Sequence, residues 1–169
     1  MSTSLYELTV PAFVRGLHNL SALLDKGAAF AKERGEAPES LLGTRLVPDM
    51  KPLAYQVQRV SDTAKGCIVR LGGIENRVFE DNETTFAELQ ARIAATIAFL
   101  EEAPCDAIDG KEGATVELKT PQETITFTGQ SYVLEFAIPN FYFHVTTAYA
   151  LLRHQGVPIG KRDYLGPRA

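Results

Sequence analysis

Long runs of apolar residues at helical spacing are the feature that most constrains how this chain can fold. Between positions 5 and 34, apolar side chains recur every three or four residues, which is typical of a helix that buries one face. This stripe consists of Phe13, Leu17, Leu20, Leu24 and Ala28. Gly35 would end the helix. Because proline fits the first turn of a helix better than its interior, Pro11 predicts a start near Thr9, or a kink there.

Two further segments repeat the pattern. One runs from about Pro52 to Leu71 and stops at the glycine pair 72–73. The next starts at Thr84 or Thr85 and ends before Pro104. Its start carries a capping box, in which the side chains of Thr85 and Glu88 would satisfy the free amides of the first turn reciprocally. Short turns and connectors at 38–43 and 48–52 separate the first two helices.

The C-terminal third combines a hairpin signal with a fourth long helix. Residues 114–128 alternate apolar and polar side chains around a TPQE turn, which predicts a β-hairpin. The fourth helix would span about Gln130 to His154, with a kink or a new start at Pro139. Gly156 would cap it. The polar tail 160–169 is expected to be irregular and to lie across the bundle.

These segments predict an all-α fold. Four long helices with connections of mixed length favour a four-helix bundle with one or more crossovers, and a small β-hairpin inserted before the last helix. At 169 residues, the chain is expected to form a single helical-bundle domain, 1–169.

Composition argues against several classes of partner. The net charge is −4, and basic residues do not cluster as phosphate binding requires, so no nucleic-acid partner is expected. No run approaches the ~20 apolar residues that cross a membrane, and the N-terminus lacks the pattern of a signal peptide. Cys67 and Cys105 form no CxxC pair, which fits free thiols in a reducing cytoplasm.

A group of polar residues predicts a ligand pocket in the bundle core. Gln58 and Asp62, four apart, share a face of the second helix, while Asn140, His144 and Tyr149 lie on the fourth. If these faces meet, the five side chains line one pocket, with Asp62 and His144 as a polar pair that orients a ligand or moves a proton. Alternatively, His144 is a core histidine with one hydrogen-bond partner. Asp62 then pairs with a nearby cation, either Arg59, Lys65 or Arg153.

Catalytic motifs are missing from the sequence. It contains no GxSxG, GxGxxG or GxxxxGK[ST] pattern, and neither cysteine lies near a histidine in sequence. The three histidines, His18, His144 and His154, could build a transition-metal site only with help from carboxylates. We therefore expect no cofactor, with a divalent metal at His144 as the exception. The basic tail residues, Lys161, Arg162 and Arg168, either contact an anionic ligand or are solvated.

Four segments carry a resemblance to known proteins: LVPDMKPLAYQVQRVSDTAKG, TTFAELQARIAATIAFL, the fourth helix and LRHQGVPIGKRDYLG. Together they resemble one bacterial family catalogued as a domain of unknown function and grouped with the DinB/YfiT-like bundle superfamily. The resemblance implies a four-helix bundle, often dimeric, with a metal held by one histidine of helix two and two histidines four apart on the last helix. Anchored on Gly156, the last-helix positions fall at Asn140 and His144. The helix-two position falls near Gln58 or Arg59.

The resemblance implies three metal-binding histidines, and of these this sequence has only His144. It therefore implies a degenerate metal site. The main hypothesis is a protein that binds a small ligand in the bundle core and forms a homodimer. One alternative is a divalent-metal-dependent transferase or hydrolase that uses His144 with carboxylates such as Asp62. Another is a non-catalytic interaction protein. Whether the chain is an enzyme stays open at this point.

Overall fold

Four long helices form the body of the fold. The computed structural model describes residues 3–167. In chain order, the elements are α1 (Leu5–Glu33), a 3-10 turn (Pro38–Leu41), α2 (Leu53–Gly72), α3 (Phe86–Glu101), the short α4 (Cys105–Ile108), β1 (Thr115–Lys119), β2 (Thr124–Thr128), α5 (Gly129–Ser131), a π-helical segment (Tyr132–Ala137), α6 (Ile138–His154) and the short α7 (Lys161–Leu165). The predicted all-α bundle with a hairpin before the last long helix is confirmed.

The four long helices pack in a ring. Helix α1 packs beside α3 and α6, and α2 also packs beside α3 and α6, so the connections α1–α2 and α3–α6 cross the bundle. The apolar stripes predicted from sequence line its centre, where Phe13, Leu17 and Leu20 are fully buried. The rings of Phe13 and Phe141 lie 4.6 Å apart and join α1 to α6. Burial of this apolar surface is the main force that holds the bundle together.

Helix α1 begins earlier than the sequence predicted. Ser4 is its N-cap: the backbone N–H of Glu7 donates to the Ser4 hydroxyl, and the Ser4 N–H donates to the Glu7 carboxylate at 3.1 Å. The start near Thr9 is therefore wrong, because this reciprocal cap satisfies the first turn further upstream. Pro11 lies within α1 on its exposed side. There, water can reach the backbone carbonyl that a proline leaves without an N–H partner.

Other predicted helix ends are confirmed. Gly73 caps α2 in the left-handed conformation, at φ 61°, which glycine adopts without a steric penalty. Thr85 and Glu88 form the predicted capping box of α3. Hydrogen bonds from the backbone N–H groups of Thr84 and Thr85 and from the Thr84 hydroxyl lower the pKa of the Glu88 carboxyl.

The last long helix continues through Pro139 instead of splitting there. Thr128 caps α5, and the chain remains helical to His154. The π-helical segment lies immediately before Ile138 and Pro139. A proline ring crowds the carbonyl one turn earlier in a regular α-helix, and a wider turn relieves that crowding. The disturbance predicted at Pro139 is thus present as a local change of helical pitch.

The predicted hairpin is confirmed as an antiparallel pair. Thr115 faces Thr128, and Lys119 faces Thr124 across the turn. The ring centroid of Phe127 in β2 lies 5.8 Å from that of Tyr132 and 6.3 Å from that of Phe136. This packing fixes the hairpin on the start of the last helix.

The C-terminal tail is more regular than predicted. Residues 161–165 form α7, which lies against α1. Asn19 donates to the Tyr164 carbonyl at 3.1 Å, and Lys26 pairs with Asp163. These contacts give the segment a partner and explain why a polar sequence folds there. Arg168 of the predicted basic tail lies outside the described residues. Across residues 3–167, we find no helix with both the length and the apolar content needed to span a membrane.

A single glycine marks the tightest approach between the hairpin and its preceding loop. A Cβ added to Gly129 would overlap the carbonyl oxygen of Lys111, and backbone at this point cannot rotate aside as a side chain can. We expect Gly129→Ala to lower the free energy of unfolding by about 1–3 kcal/mol, the usual cost of overpacking. Urea denaturation measures the effect. Gly43→Ala is the matched control, because a Cβ at Gly43 meets nothing within 4 Å. Equal stability of the two variants would contradict this assignment.

Candidate functional site

Two polar clusters lie on different faces of α2. One faces α6 and contains His144. The other faces α3 and the connecting segment 74–85. Arg59 lies between them, because its side chain reaches Asp62 of the second cluster and also packs over the ring of Tyr55 near the first.

The cluster against α6 consists of two hydrogen-bonded pairs. His144 Nδ1 lies 2.7 Å from Gln56 Oε1. The Nε2–H of Gln56 donates to the Lys51 carbonyl at 3.0 Å, so the amide oxygen faces His144 and accepts a hydrogen bond from Nδ1–H. One turn earlier on α6, Asn140 donates to the Thr63 hydroxyl at 2.7 Å. These bonds hold the imidazole as the Nδ1–H tautomer, with its lone pair on Nε2.

The imidazole of His144 is weakly basic. Burial, and then the positive charge of Arg59, lower the pKa of His144 to about 4. The ring is therefore neutral at pH 7. Its Nε2 has no hydrogen-bond partner in the described residues, and it is not one of the side-chain atoms sealed from solvent. Tyr55 stands edge-on to the ring at 6.3 Å. An imidazole in this state can accept a hydrogen bond, but it holds a proton poorly near neutral pH.

The second cluster is an ion-pair network around Arg92, whose side chain is 2% exposed. Its guanidinium contacts Asp62 at 2.9 Å, Asp81 at 3.0 Å and Glu83 at 2.8 Å. Gln58 donates to the other oxygen of Glu83 at 2.9 Å. Because Asp81 and Glu83 belong to the connecting segment, the network fastens that segment to α2 and α3.

Protonation in the network follows these contacts. Burial raises the pKa of Glu83, but hydrogen bonds from Arg92 and Gln58 outweigh it, so the pKa lies below its usual range. Burial lowers the pKa of Lys65 more than Asp62 raises it. The Lys65 ammonium donates to the Arg77 carbonyl at 2.7 Å and lies 3.7 Å from the centre of the Phe79 ring. Most polar atoms of the network satisfy one another, which is the pattern of a structural network, and the exceptions in the described residues are the buried Nε atoms of Arg59 and Arg92.

The structure divides the five predicted pocket residues among three places. Asn140 and His144 lie in the cluster against α6, whereas Gln58 and Asp62 lie in the Arg92 network. Tyr149 packs against Tyr164 of α7, with ring centroids 5.8 Å apart. No hydrogen bond joins Asp62 to His144 in the described residues, so they form no dyad there.

The alternative reading of these residues is confirmed in most of its contacts. His144 has one hydrogen-bond partner, and Asp62 contacts Arg59 at 2.8 Å and Lys65 at 3.6 Å. The suggested pairing of Asp62 with Arg153 does not form. Arg153 instead donates to the Val157 carbonyl at 2.9 Å, just beyond the end of α6.

Sequence reasoning missed Gln56 and Thr63 as the partners of α6. At 100° per residue, both lie about 80–100° from the apolar stripe of α2, at the edge of its buried face. Gln58 and Asp62 lie about 120–160° from the same stripe. A helical-wheel projection would therefore have favoured Gln56 and Thr63. Arg92 was missed because its acidic partners come largely from a segment without periodicity.

The residues at the implied metal positions do not fit a metal. The Nδ1–H of His144 donates a hydrogen bond to Gln56, and the amide N–H of Asn140 donates one to the Thr63 hydroxyl. Neither glutamine nor asparagine is a usual ligand for zinc. Within residues 3–167, no three histidine, cysteine or acidic side chains gather in a way that could hold a metal ion.

Neither cysteine is set up as a nucleophile. Cys67 is fully buried in α2, and burial raises its pKa to about 12. Cys105 is exposed, and its hydrogen bond to Asp109 raises the pKa of the thiol. Because the thiolate is the reactive form, both side chains are poor nucleophiles near neutral pH.

The Arg92 network makes a testable contribution to stability. We expect Arg92→Met to lower the free energy of unfolding by about 3 kcal/mol, because it leaves the carboxylate of Glu83, whose side chain is 8% exposed, without its cation. The matched control is Arg77→Met, which removes an exposed arginine that pairs with exposed Glu102 and should cost less than about 1 kcal/mol. Chemical denaturation of both variants gives the comparison. Similar losses would show that the network is no stronger than a surface ion pair.

Comparison with known proteins gives the chain a family. The family model described as "Domain of unknown function (DUF1993)" matches residues 5–165. No curated protein matches the chain. A crystal structure of a DinB family member protein from Shewanella denitrificans is similar over 97% of this chain and 93% of that chain, with 43% sequence identity and a TM-score of 0.89. The chain therefore belongs to the DUF1993 family of DinB-like helical bundles.

Proposed function

We propose that this chain is a metal-independent binding protein that takes a small ligand where α2 meets α6. The observation that carries the proposal is the fixed tautomer of His144, which leaves the Nε2 lone pair without a partner among residues 3–167. A ligand that donates an O–H or N–H group can use this acceptor. The ring of Tyr55 offers an aromatic wall beside it, which suits an aromatic or planar ligand.

The geometry supports this reading over the metal-dependent transferase or hydrolase. That alternative needs carboxylates beside His144, and Asp62 is committed to three cations. It also needs a second strong ligand, where Asn140 and Gln56 supply amides. Proton transfer by His144 is disfavoured as well, because its pKa of about 4 lies far from neutral pH.

Nuclear magnetic resonance of the imidazole tests the proposal. We expect the ¹⁵N shifts of His144 to report the Nδ1–H tautomer at pH 7 and a pKa of about 4. Phenol, a ring with one O–H donor, should shift the Nε2 resonance, whereas anisole, which lacks the donor, should not. Equimolar Zn²⁺ should leave the imidazole shifts unchanged. A response to Zn²⁺ but not to phenol would overturn the proposal in favour of the metal-dependent enzyme.

Metal content provides an independent check. Mass spectrometry of tag-free wild-type protein and of His144→Ala, both purified without chelators, should find no stoichiometric metal in either. About one metal per chain that disappears in the variant would restore the enzyme reading.

The His144 titration also has a consequence for stability. In the unfolded chain, the pKa of histidine is about 6.5. The neutral His144 ring therefore makes its full contribution to the free energy of unfolding above that pH, and the contribution is lost as the pH falls towards 4.

We also propose a homodimer, formed through an apolar face beside the site. Tyr142 and Phe143 of α6 are 36% and 57% exposed, and Val47 of the α1–α2 connection is 48% exposed. Together with Leu46, the two aromatic residues line a cavity of about 420 Å³. Exposed apolar residues that form one patch are typical of an interaction surface, and a two-fold interface uses the same patch on both copies.

Sedimentation measures this association. We expect wild-type protein to sediment as a dimer and Phe143→Asp to be monomeric at the same concentration, because a charge would be buried in the interface. Leu134→Asp is the matched control: Leu134 is 47% exposed but lies in the π-helical segment and does not line this cavity. A wild-type monomer, or equal dissociation of both variants, would exclude this face.

A bacterial cytoplasmic location fits the free thiols and is part of the proposal. In the described residues, Cys67 and Cys105 are unpaired, and an exposed thiol such as Cys105 persists best in a reducing compartment. The expectation that neither nucleic acid nor a membrane is a partner stays a prediction.

A further inference from the structure

A long groove follows the outer side of α1. Residues of α1 at helical spacing form one wall, and α7 with the following residues forms the other. Its volume is about 1030 Å³, near the upper end of the range for small-molecule sites. The carbon-rich part of the wall comes from Pro11, Val14, Ala22 and Pro167. From Pro11 to Ala22 the groove follows about 16 Å of helix, so it is elongated.

Hydrogen bonds from side chains of α1 to backbone carbonyls of the opposite wall hold the two walls together. Arg15 donates to the Leu165 carbonyl at 3.1 Å, and Asn19 donates to the Tyr164 carbonyl at the same distance. Gly166, at φ 71°, passes so close to Asn19 that an added Cβ would overlap its side chain. The groove is therefore a built feature of the fold, with its second wall fixed by α1 itself.

Two arginines give the groove an unbalanced positive charge. Lys26 is neutralised by Asp163. Arg15 bonds only an uncharged carbonyl, and within residues 3–167 neither Arg15 nor Arg162 forms a salt bridge. Both arginines line the groove and also an adjoining cavity of about 470 Å³, together with Leu165 and Gly166. This positive site stands out on a chain whose net charge is −4.

We propose that this groove binds an unbranched aliphatic carboxylate, with the carboxylate between Arg15 and Arg162 and the hydrocarbon chain along α1. A guanidinium matches a carboxylate in geometry and charge, since it can donate two parallel hydrogen bonds. The elongated wall of proline, valine and alanine suits an extended chain, whose burial supplies the hydrophobic part of the affinity. This site is separate from His144 and does not depend on the function proposed above.

Dodecanoate is the probe, and dodecyltrimethylammonium is its counterpart with the same chain and the opposite charge. Titration calorimetry below the micelle concentrations should detect binding of dodecanoate only. Acetate, the head group without the chain, should not bind measurably. Backbone amide shifts in nuclear magnetic resonance should move along Val14 to Ala22 and in α7. Equal binding of both amphiphiles would overturn the proposal, because it would show an unspecific apolar surface.

Variants locate the two ends of the ligand. Arg162→Gln should weaken dodecanoate binding about tenfold, the effect of losing ~1.4 kcal/mol from a charge-assisted contact. Arg45→Gln is the matched control, because Arg45, like Arg162, is exposed and forms no salt bridge in the described residues, but it lies outside the groove. Ala22→Glu places a negative charge on the apolar wall, and glutamate is well tolerated within a helix. This variant should abolish the binding of dodecanoate.

Other occupants give distinct results. If the groove is covered by a second copy of the chain, Ala22→Glu would dissociate a dimer and dodecanoate would not bind the wild type. If an acidic peptide is the ligand, a glutamate-rich peptide would bind and dodecanoate would not. Either result overturns the proposal, as does binding of dodecanoate that Arg162→Gln leaves unchanged.

Discussion

The burial of the Arg92 guanidinium is the constraint on which the arrangement around α2 depends. An arginine that is 2% exposed is tolerated only when its charge is matched, and here three carboxylates match it. Two of them come from the segment between α2 and α3, which has no regular secondary structure of its own. The positive charge of Arg92 on α3 thus determines where that segment lies. The segment in turn covers the side of α2 that would otherwise face water, including Asp62 and Lys65.

This arrangement explains how far the sequence could predict the structure. Helices with strong periodicity and a side-chain cap were predicted well: Thr85 and Glu88 define the start of α3 because a capping box is a local interaction. The start of α1 was mispredicted because the penalty for Pro11 was overestimated relative to the Ser4 cap. The candidate site was harder, since Gln58 and Asp62 are covered by a segment whose position depends on tertiary contacts. Periodicity says nothing about such a segment.

The α2–α6 contact also shows how the side chains at Asn140 and His144 are satisfied by protein neighbours. His144 needs a partner for its Nδ1 proton, and Gln56 supplies it while its own amide is held by Lys51. Asn140 finds Thr63 in the same way. Each of these side chains forms a hydrogen bond with a neighbour, as partly buried polar groups require. These contacts need no metal, and the Nε2 of His144 is left to accept a hydrogen bond from another molecule.

The contact between Phe13 and Phe141 has a consequence for biosynthesis. These rings lie 4.6 Å apart in the folded protein, but Phe141 follows Phe13 by about 130 residues. At typical synthesis rates, roughly 6–25 s pass before the second residue has been added. During that time α2 and α3 can cover only part of the apolar stripe of α1. A growing chain therefore exposes much of this stripe on the ribosome, which is the period when chaperones would protect it and when truncated products would aggregate.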